Sequence, residues 1–427
     1  MQKIILAIIF TFQWIGLNAQ SISNQFLTSN SDTVFDIINH QALDSFYTSL
    51  QKCSTSKPVH VVIIGDSHIQ GGILTDTLRT LFQKKFGNAG RGLVFPYNLI
   101  GTNGSNELKG YGLNPINHYS VLDCKKNHTL TTGICGYTIG SKDSNTVIYI
   151  KPSFAYDSIL IFGSEDIVYE RTIFNSVESK KTIQIKIQKN DNLNRLAKRL
   201  KMNKKELIRL NPKLKKIKLI YGKYLRITVT EKRLSQDIKN KKDSVISLRM
   251  NKTSVLNGIE FINSVSGIRV SGIGTNGAKL SDFNQQNNFF EELNKLKPDL
   301  IILAFGTNES YAQMSSEDYL QELLKFIYTL KKTNHKTNLI IATPPLSLNR
   351  KKRSNSILYK YNQCIKEECF RNQYAVFPMY DLLENLGGIK ALKQQKLISS
   401  DNVHYTRKGY AWMAQQLYSS LIKYHKQ

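Results

Sequence analysis

The sequence of 427 residues predicts an α/β core on a parallel sheet, split by a β-rich insertion that itself carries a small βααβ module. Three observations predict it. Continuous apolar strands separated by amphipathic helices stand at both ends of the chain, the pattern of a sheet covered on both faces. Between them, residues 111 to 171 break into short strand-like runs bounded by Gly, Asn, Ser and Asp. Inside that region a lysine-rich stretch switches to helical spacing. Length and an apolar content of 41% are enough for two or three domains with real cores.

The chain opens on "MQKIILAIIFTFQWIGLNAQ", with one lysine, an apolar run from Ile4 to Leu17 and Ala19 before Gln20. That reads as a secretory signal peptide over 1–19, the run being short for a bilayer span. Residues 20–95 form the first part of the core, with a strand from Val59 to Ile64 and a helix through "LTDTLRTLFQKKF". The β-rich insertion occupies 96–177 and resumes at 231–265. Its strands include "TVIYIKP", "SILIFG" and "DIVYERT", completed by "DSVISLRM" and "SVLNGIEFI". The inner module spans 178–230: a strand, two short helices with apolar positions at Leu193, Leu196, Leu200, Leu207 and Leu210, and a strand ending at Ile227. Residues 266–427 complete the core, with strands "DLIILAF" and "NLIIATPP" around the helix "SEDYLQELLKFIYTLKK" and a last helix from Thr406 to Tyr424.

The formal net charge of +27 is concentrated. From Glu178 to Arg233 there are 19 Lys and Arg against 4 acids, so one segment carries more than half of the excess. Export argues against nucleic acid as the partner; exposed lysines at a cell wall attract anionic polymers through a salt-screened field. Export also permits disulfides among the five cysteines. A hairpin is expected to bring Cys124 and Cys135 together, whereas the spacing of Cys364 and Cys369 on a helix points them apart. No cysteine shows zinc-like spacing, and neither a metal nor another cofactor is implied.

The chemistry-bearing residues stand at the carboxyl ends of core strands, where open α/β sheets place their sites. Ser67 follows the first strand in "GDSH". Gly277 ends "GTNG" after "IRVS", Asn308 lies in "GTNES" after "DLIILAF", and "DNVHYTRKGY" carries Asp401 and His404 before the last helix. A serine hydroxyl attacks an ester only when an imidazole takes its proton, and the imidazole needs a carboxylate to fix its tautomer. The backbone N–H groups of Ser67 and Gly277 and the side-chain amide of Asn308 are natural donors to the oxyanion that results. Taken singly, each has a plainer reading: Ser67 as a helix cap, Asp401 as a turn former, His404 as a surface residue, Asn308 as a residue tolerant of a left-handed turn. "GIGTNG", Gly272 to Gly277, also matches a dinucleotide fingerprint, but Asp299, the acid with the right spacing, begins its strand and so lies at the wrong edge.

These four blocks, in that order, resemble the SGNH (GDSL-type) hydrolases over residues 59 to 72 and about 267 to 427. The resemblance implies a three-layer α/β fold with Ser67 as nucleophile, His404 as base, Asp401 as its orienter, and Gly277 and Asn308 completing an oxyanion hole with Ser67. His68 stands where many members carry leucine, and offers a second imidazole beside the serine. The inner segment 185 to 227 resembles a LysM module, a unit that recognises N-acetylglucosamine-containing glycans. "NDNL" stands for the family's G-D-T-L, with Asn190 and Asn192 as departures. By that likeness Asp191, Asn192, Leu193 and Asn211 are the candidate glycan-binding residues.

A split SGNH core with "FGNAGRGLVFPYN" soon after the serine further resembles bacterial peptidoglycan O-acetylesterases. What this implies is an exported esterase, in the periplasm or at the cell surface, taking O-acetyl groups from a wall glycan through a tight pocket without an acyl groove. An O-acetyltransferase, an esterase on another polysaccharide or on lipid esters, and a non-catalytic wall-binding protein are the rival readings.

Overall fold

The computed structural model describes residues 35–425 apart from 54–56, 113, 128, 201–202, 216–218, 237–243 and 335, so the expected signal peptide at 1–19 lies outside the described residues. In chain order the strands are β1 (Val59–Gly65), β2 (Gly92–Val94), β3 (Leu108–Gly112), β4 (Ile116–Ser120), β5 (Tyr137–Ser141), β6 (Thr146–Pro152), β7 (Ser158–Gly163) and β8 (Val168–Lys186). They continue with β9 (Tyr224–Gln236), β10 (Ser244–Met250), β11 (Val255–Ile262), β12 (Ile268–Gly274), β13 (Leu300–Ala304), β14 (Asn338–Ala342) and β15 (Ala375–Phe377).

The core sheet is wholly parallel, in the order β12-β1-β13-β14-β15. Its strands read as apolar runs because both faces are covered: every residue of β1 is buried, as is every residue of β14. Each Val, Ile or Leu so placed contributes about 1.5–3 kcal/mol. On one face the helices Ile73–Phe86 and Arg407–Lys423 pack together, with Phe82 edge-on to Tyr418 at 5.1 Å. On the other, the helix Ser316–Thr333 buries Tyr319, Leu323, Phe326, Ile327 and Leu330, spaced as one apolar stripe. The edge strand β15 has no counterpart in the sequence reading; three residues are too few to show a period.

Numbering only the core strands in chain order, the sheet runs 2-1-3-4-5, and the winding reverses beside β1. A ligand crevice opens at such a reversal, outside the carboxyl ends of the strands. The register sets it level: Gly65 of β1 pairs with Gly274 of β12 and with Ala304 of β13, so three strands end in one row.

The insertion forms two antiparallel sheets, β2-β11-β5-β4 with β7 also on β11, and β3-β6-β10-β8-β9. Ile148 and Ile150 of β6, Leu248 and Met250 of β10, and Leu256 and Phe261 of β11 join one buried cluster with the α/β core. Beyond this, β8 and β9 pair alone from Phe174↔Gln236 to Lys186↔Tyr224. At the end of that ribbon, helices Leu193–Arg199 and Lys204–Leu210 close a separate small core of Leu196, Ala197, Leu207, Leu214 and Ile227.

The expected Cys124–Cys135 pairing is corrected: all five cysteines are free. β4 and β5 do form the hairpin, but the two thiols face different neighbours. The backbone of Thr132 bonds the Cys124 thiol, while Cys135 Sγ lies against Gly258 of β11.

Candidate active site

Ser67 begins the short helix Ser67–Gln70, two residues beyond the end of β1. Asp66 caps that helix, its Oδ1 accepting the His68 N–H at 2.9 Å. The turn depends on Gly65, where an added Cβ would lie 2.6 Å from the Ala304 carbonyl oxygen. Beyond β12, Gly277 adopts φ +79°, a left-handed conformation that suits glycine. After β13 the helix Thr307–Tyr311 carries Asn308.

The fourth segment is a tight turn before the helix Arg407–Lys423. Asp401 Oδ1 accepts the N–H groups of Val403 and His404, both at 3.0 Å, which fixes the carboxylate relative to the imidazole. Its Oδ2 accepts from His404 Nδ1 at 2.7 Å, and His404 Nε2 stands 2.9 Å from Ser67 Oγ. With Nδ1 as donor, Nε2 is free to take the serine proton. Partial burial pushes the Asp401 carboxyl up, but the bonds from His404 and Val403 outweigh it and hold the group below the usual carboxylate range. It stays ionised across the neutral range.

No hydrogen-bond acceptor among the described residues takes the N–H of Ser67 or Gly277. Asn308 Nδ2 donates to the Ala278 carbonyl at 2.9 Å and to Asp66 Oδ2 at 3.3 Å. A substrate oxyanion can displace the longer of these two bonds while the shorter keeps the amide aimed. Asn308→Ala is expected to lower kcat by about 10²–10³ with little change in KM, measured on a nitrophenyl ester.

The other imidazole is not a competing base. His68 is buried, with Nδ1 2.9 Å from the Tyr410 hydroxyl and Nε2 3.2 Å from the Thr307 hydroxyl, and burial lowers its pKa to about 3. A second serine–imidazole–carboxylate row also exists, Ser271 Oγ lying 2.7 Å from His60 Nε2 with Glu260 3.5 Å from Nδ1. It is sealed: His60 is 1% exposed, and Ser271 Oγ also accepts the Leu93 N–H of β2. That row ties the α/β sheet to the insertion.

The sequence reading missed Gln70 and Asp66. Gln70, 2% exposed, donates from Nε2 to the Thr102 hydroxyl and the Asn103 carbonyl, and its Oε1 accepts from the Tyr137 hydroxyl and the Asn276 N–H. One amide thus holds two insertion segments against the residue preceding Gly277. Gln70→Leu leaves buried donors unpaired and is expected to cost about 2–4 kcal/mol of stability. It should also lower kcat about tenfold at temperatures where circular dichroism shows full folding, a loss that destabilisation alone would not give. Asp66 and Glu309 are fully buried carboxyls whose pKa values burial raises to about 7, Glu309 also feeling the charge of Asp66. Glu309 accepts the N–H groups of Leu280 and Gly306, bracing the Asn308 turn against the one after β12.

Ser67, Gly277, Asn308 and His404 line one cleft of about 700 Å³, together with Asn103, Asn276, Lys279, Thr307, Tyr311, Ala312, Arg350 and Val403. The cleft as a whole is far larger than an acetyl group, with loops from four strand ends around it. Most of its lining is amide, hydroxyl or cation.

The inner module places its four candidates in structural roles. Asp191 pairs with Arg199 at 2.9 Å, Asn192 caps the helix Leu193–Arg199, Leu193 packs on the small core, and Asn211 bonds both the N–H and the carbonyl of Thr228 at 2.6 Å. Asn190, standing for glycine, takes φ +66°, which asparagine tolerates.

Comparison with known proteins finds two family matches in the chain. Residues 253–412 match the GDSL-like Lipase/Acylhydrolase family and residues 185–228 match the LysM domain. The first match begins just before β11, the last strand of the insertion, so Ser67 lies outside it and is joined to it by geometry. A comparison with curated proteins finds no match. Among solved structures the chain is similar to a peptidoglycan O-acetylesterase described as in action at 5 min, with a TM-score of 0.62, 19% identity, and coverage of 90% of this chain and 96% of that one. A lipase/acylhydrolase from Enterococcus faecalis aligns over 37% of this chain and 77% of its own, with 18% identity and a TM-score of 0.31. At 19% identity the first of these likenesses is one of fold. The chain therefore contains an esterase domain of the GDSL-like acylhydrolase type and a LysM domain.

Proposed function

We propose that this protein is an exported serine esterase that removes O-acetyl groups from a cell-wall glycan, with peptidoglycan as the substrate. The observation that carries the reading is the hydrogen-bonded row from Ser67 through His404 to Asp401 at the floor of a polar cleft. Ser67 Oγ attacks the acetyl carbonyl as its proton passes to His404 Nε2. The negative charge on the carbonyl oxygen is met by the N–H groups of Ser67 and Gly277 and by Asn308 Nδ2. Collapse of that intermediate expels the sugar oxygen, which receives the proton from His404. Water, activated by the same imidazole, then releases acetate from Ser67.

The LysM domain supports a glycan partner, and the shared fold with a peptidoglycan O-acetylesterase supports the acyl group. The amides and hydroxyls among the lining residues supply hydrogen-bond partners for a sugar. The complete row disfavours a purely binding role. Acetate release from O-acetylated sacculi, set against release from acetylated xylan and from nitrophenyl esters of increasing chain length, tests the reading. Acetate should come fastest from sacculi, and chain length should cut turnover steeply beyond acetyl. Preference for xylan or for long chains would overturn it.

A further inference from the structure

Two full positive charges line the cleft that holds Ser67, on Lys279 and Arg350, and no Asp or Glu is among its lining residues. They come from different strand ends: Lys279 from the turn that supplies Gly277, and Arg350 from the loop that follows β14. Arg350 is exposed and Lys279 half-buried, and neither takes part in an ion pair among the described residues. Of the acids nearby, Asp401 is bonded to His404, and Asp282, 1% exposed, accepts the Lys279 backbone N–H and feels the Lys279 charge without forming an ion pair with it. Tyr311, which also lines the cleft, donates its hydroxyl to the Leu348 carbonyl and feels the charge of both Arg350 and Asp401. Cations left unpaired beside a reacting ester attract an oxyanion on the substrate, and a guanidinium fork matches a carboxylate.

We propose that Arg350 and Lys279 form a carboxylate-accepting subsite, so that the preferred substrate is an acetylated sugar bearing a free carboxylate within reach of the ester. This rests on the function proposed above and narrows it to strands whose muramic carboxyl is free and not amide-linked to a peptide: a neutral acetylated sugar would occupy the cleft without engaging either cation. Exposed pairs of this kind are individually weak, so the expected effect is modest.

The test compares kcat/KM on 6-O-acetyl-N-acetylmuramic acid with that on its carboxyl methyl ester, the ratio of the two being the readout. Wild type should favour the acid about tenfold, a preference that shrinks as salt rises from about 0.05 to about 0.5 M. Arg350→Gln should lower the ratio about fivefold, the double variant with Lys279→Gln should bring it near unity, and Arg350→Lys should restore part of it. Lys332→Gln, on a helix that does not line the cleft, controls for overall charge and should leave the ratio at its wild-type value. Equal rates on acid and methyl ester in the wild type, or a ratio unchanged in the double variant, would overturn the subsite while leaving deacetylation in place. Hydrolysis of nitrophenyl acetate with none of either sugar would overturn the proposed function, and the subsite with it.

Discussion

Ser67→Ala lowers kcat for ester hydrolysis by about 10⁴-fold or more, with glycan binding retained. The size follows from the chemistry: without the hydroxyl there is no acyl-enzyme, and the remaining oxyanion donors can assist only direct attack by water. Acetate release from O-acetylated sacculi measures the first half of the expectation and a sacculus pull-down the second. The side chain is partly exposed at a helix start, so its loss leaves the core intact and the protein folded. Residual activity within about tenfold of wild type would remove Ser67 as the nucleophile.

His404→Gln should cost about 10⁴-fold or more in kcat, because glutamine can hold the serine hydroxyl but cannot carry its proton. The pH profile gives a sharper result. An imidazole base acts unprotonated, so wild-type kcat/KM should rise with pH. His68, lowered to about 3, stays neutral at neutral pH, and Asp401, held below its ordinary value, stays ionised; neither adds a step. Asp66 and Glu309, both raised to about 7 by burial, are the rivals: the first accepts from Asn308 and the second braces the turn that carries it. The variant separates them from the imidazole: in His404→Gln the rise should vanish from the residual rate. A rise that persists at the same pH would transfer it to these carboxyls and sink His404 as the base.

What was legible in the sequence is what is local. "GDSH" and "DNVH" carry their own turn chemistry, and the apolar strand before the first and the long helix after the second announce where each turn must stand. The βααβ module was readable for the same reason, since its helices repeat their apolar positions within one turn or two. Gln70 could not be read that way: its four partners come from residues 102, 103, 137 and 276, and only the folded insertion brings them to one amide. The cleft's breadth was not legible, because a loop's reach is not written in its composition. Lys279 and Arg350 drew no notice among 59 basic residues; what sets them apart is their place in the lining of the cleft that holds Ser67, a property of space. The thiols of Cys124 and Cys135 show the converse, being close in sequence and directed apart by the strands they flank.

The ribbon of β8 and β9 has an evolutionary corollary. Because Phe174 and Gln236 pair across it, the chain departs and returns at adjacent points, and a short hairpin turn is enough to seal the gap if everything beyond is excised. A lineage can therefore gain, lose or exchange the LysM unit through a single in-frame event, with the catalytic architecture indifferent to the outcome. Homologues bearing a different appendage, or none, at this junction are the natural record such an event would leave.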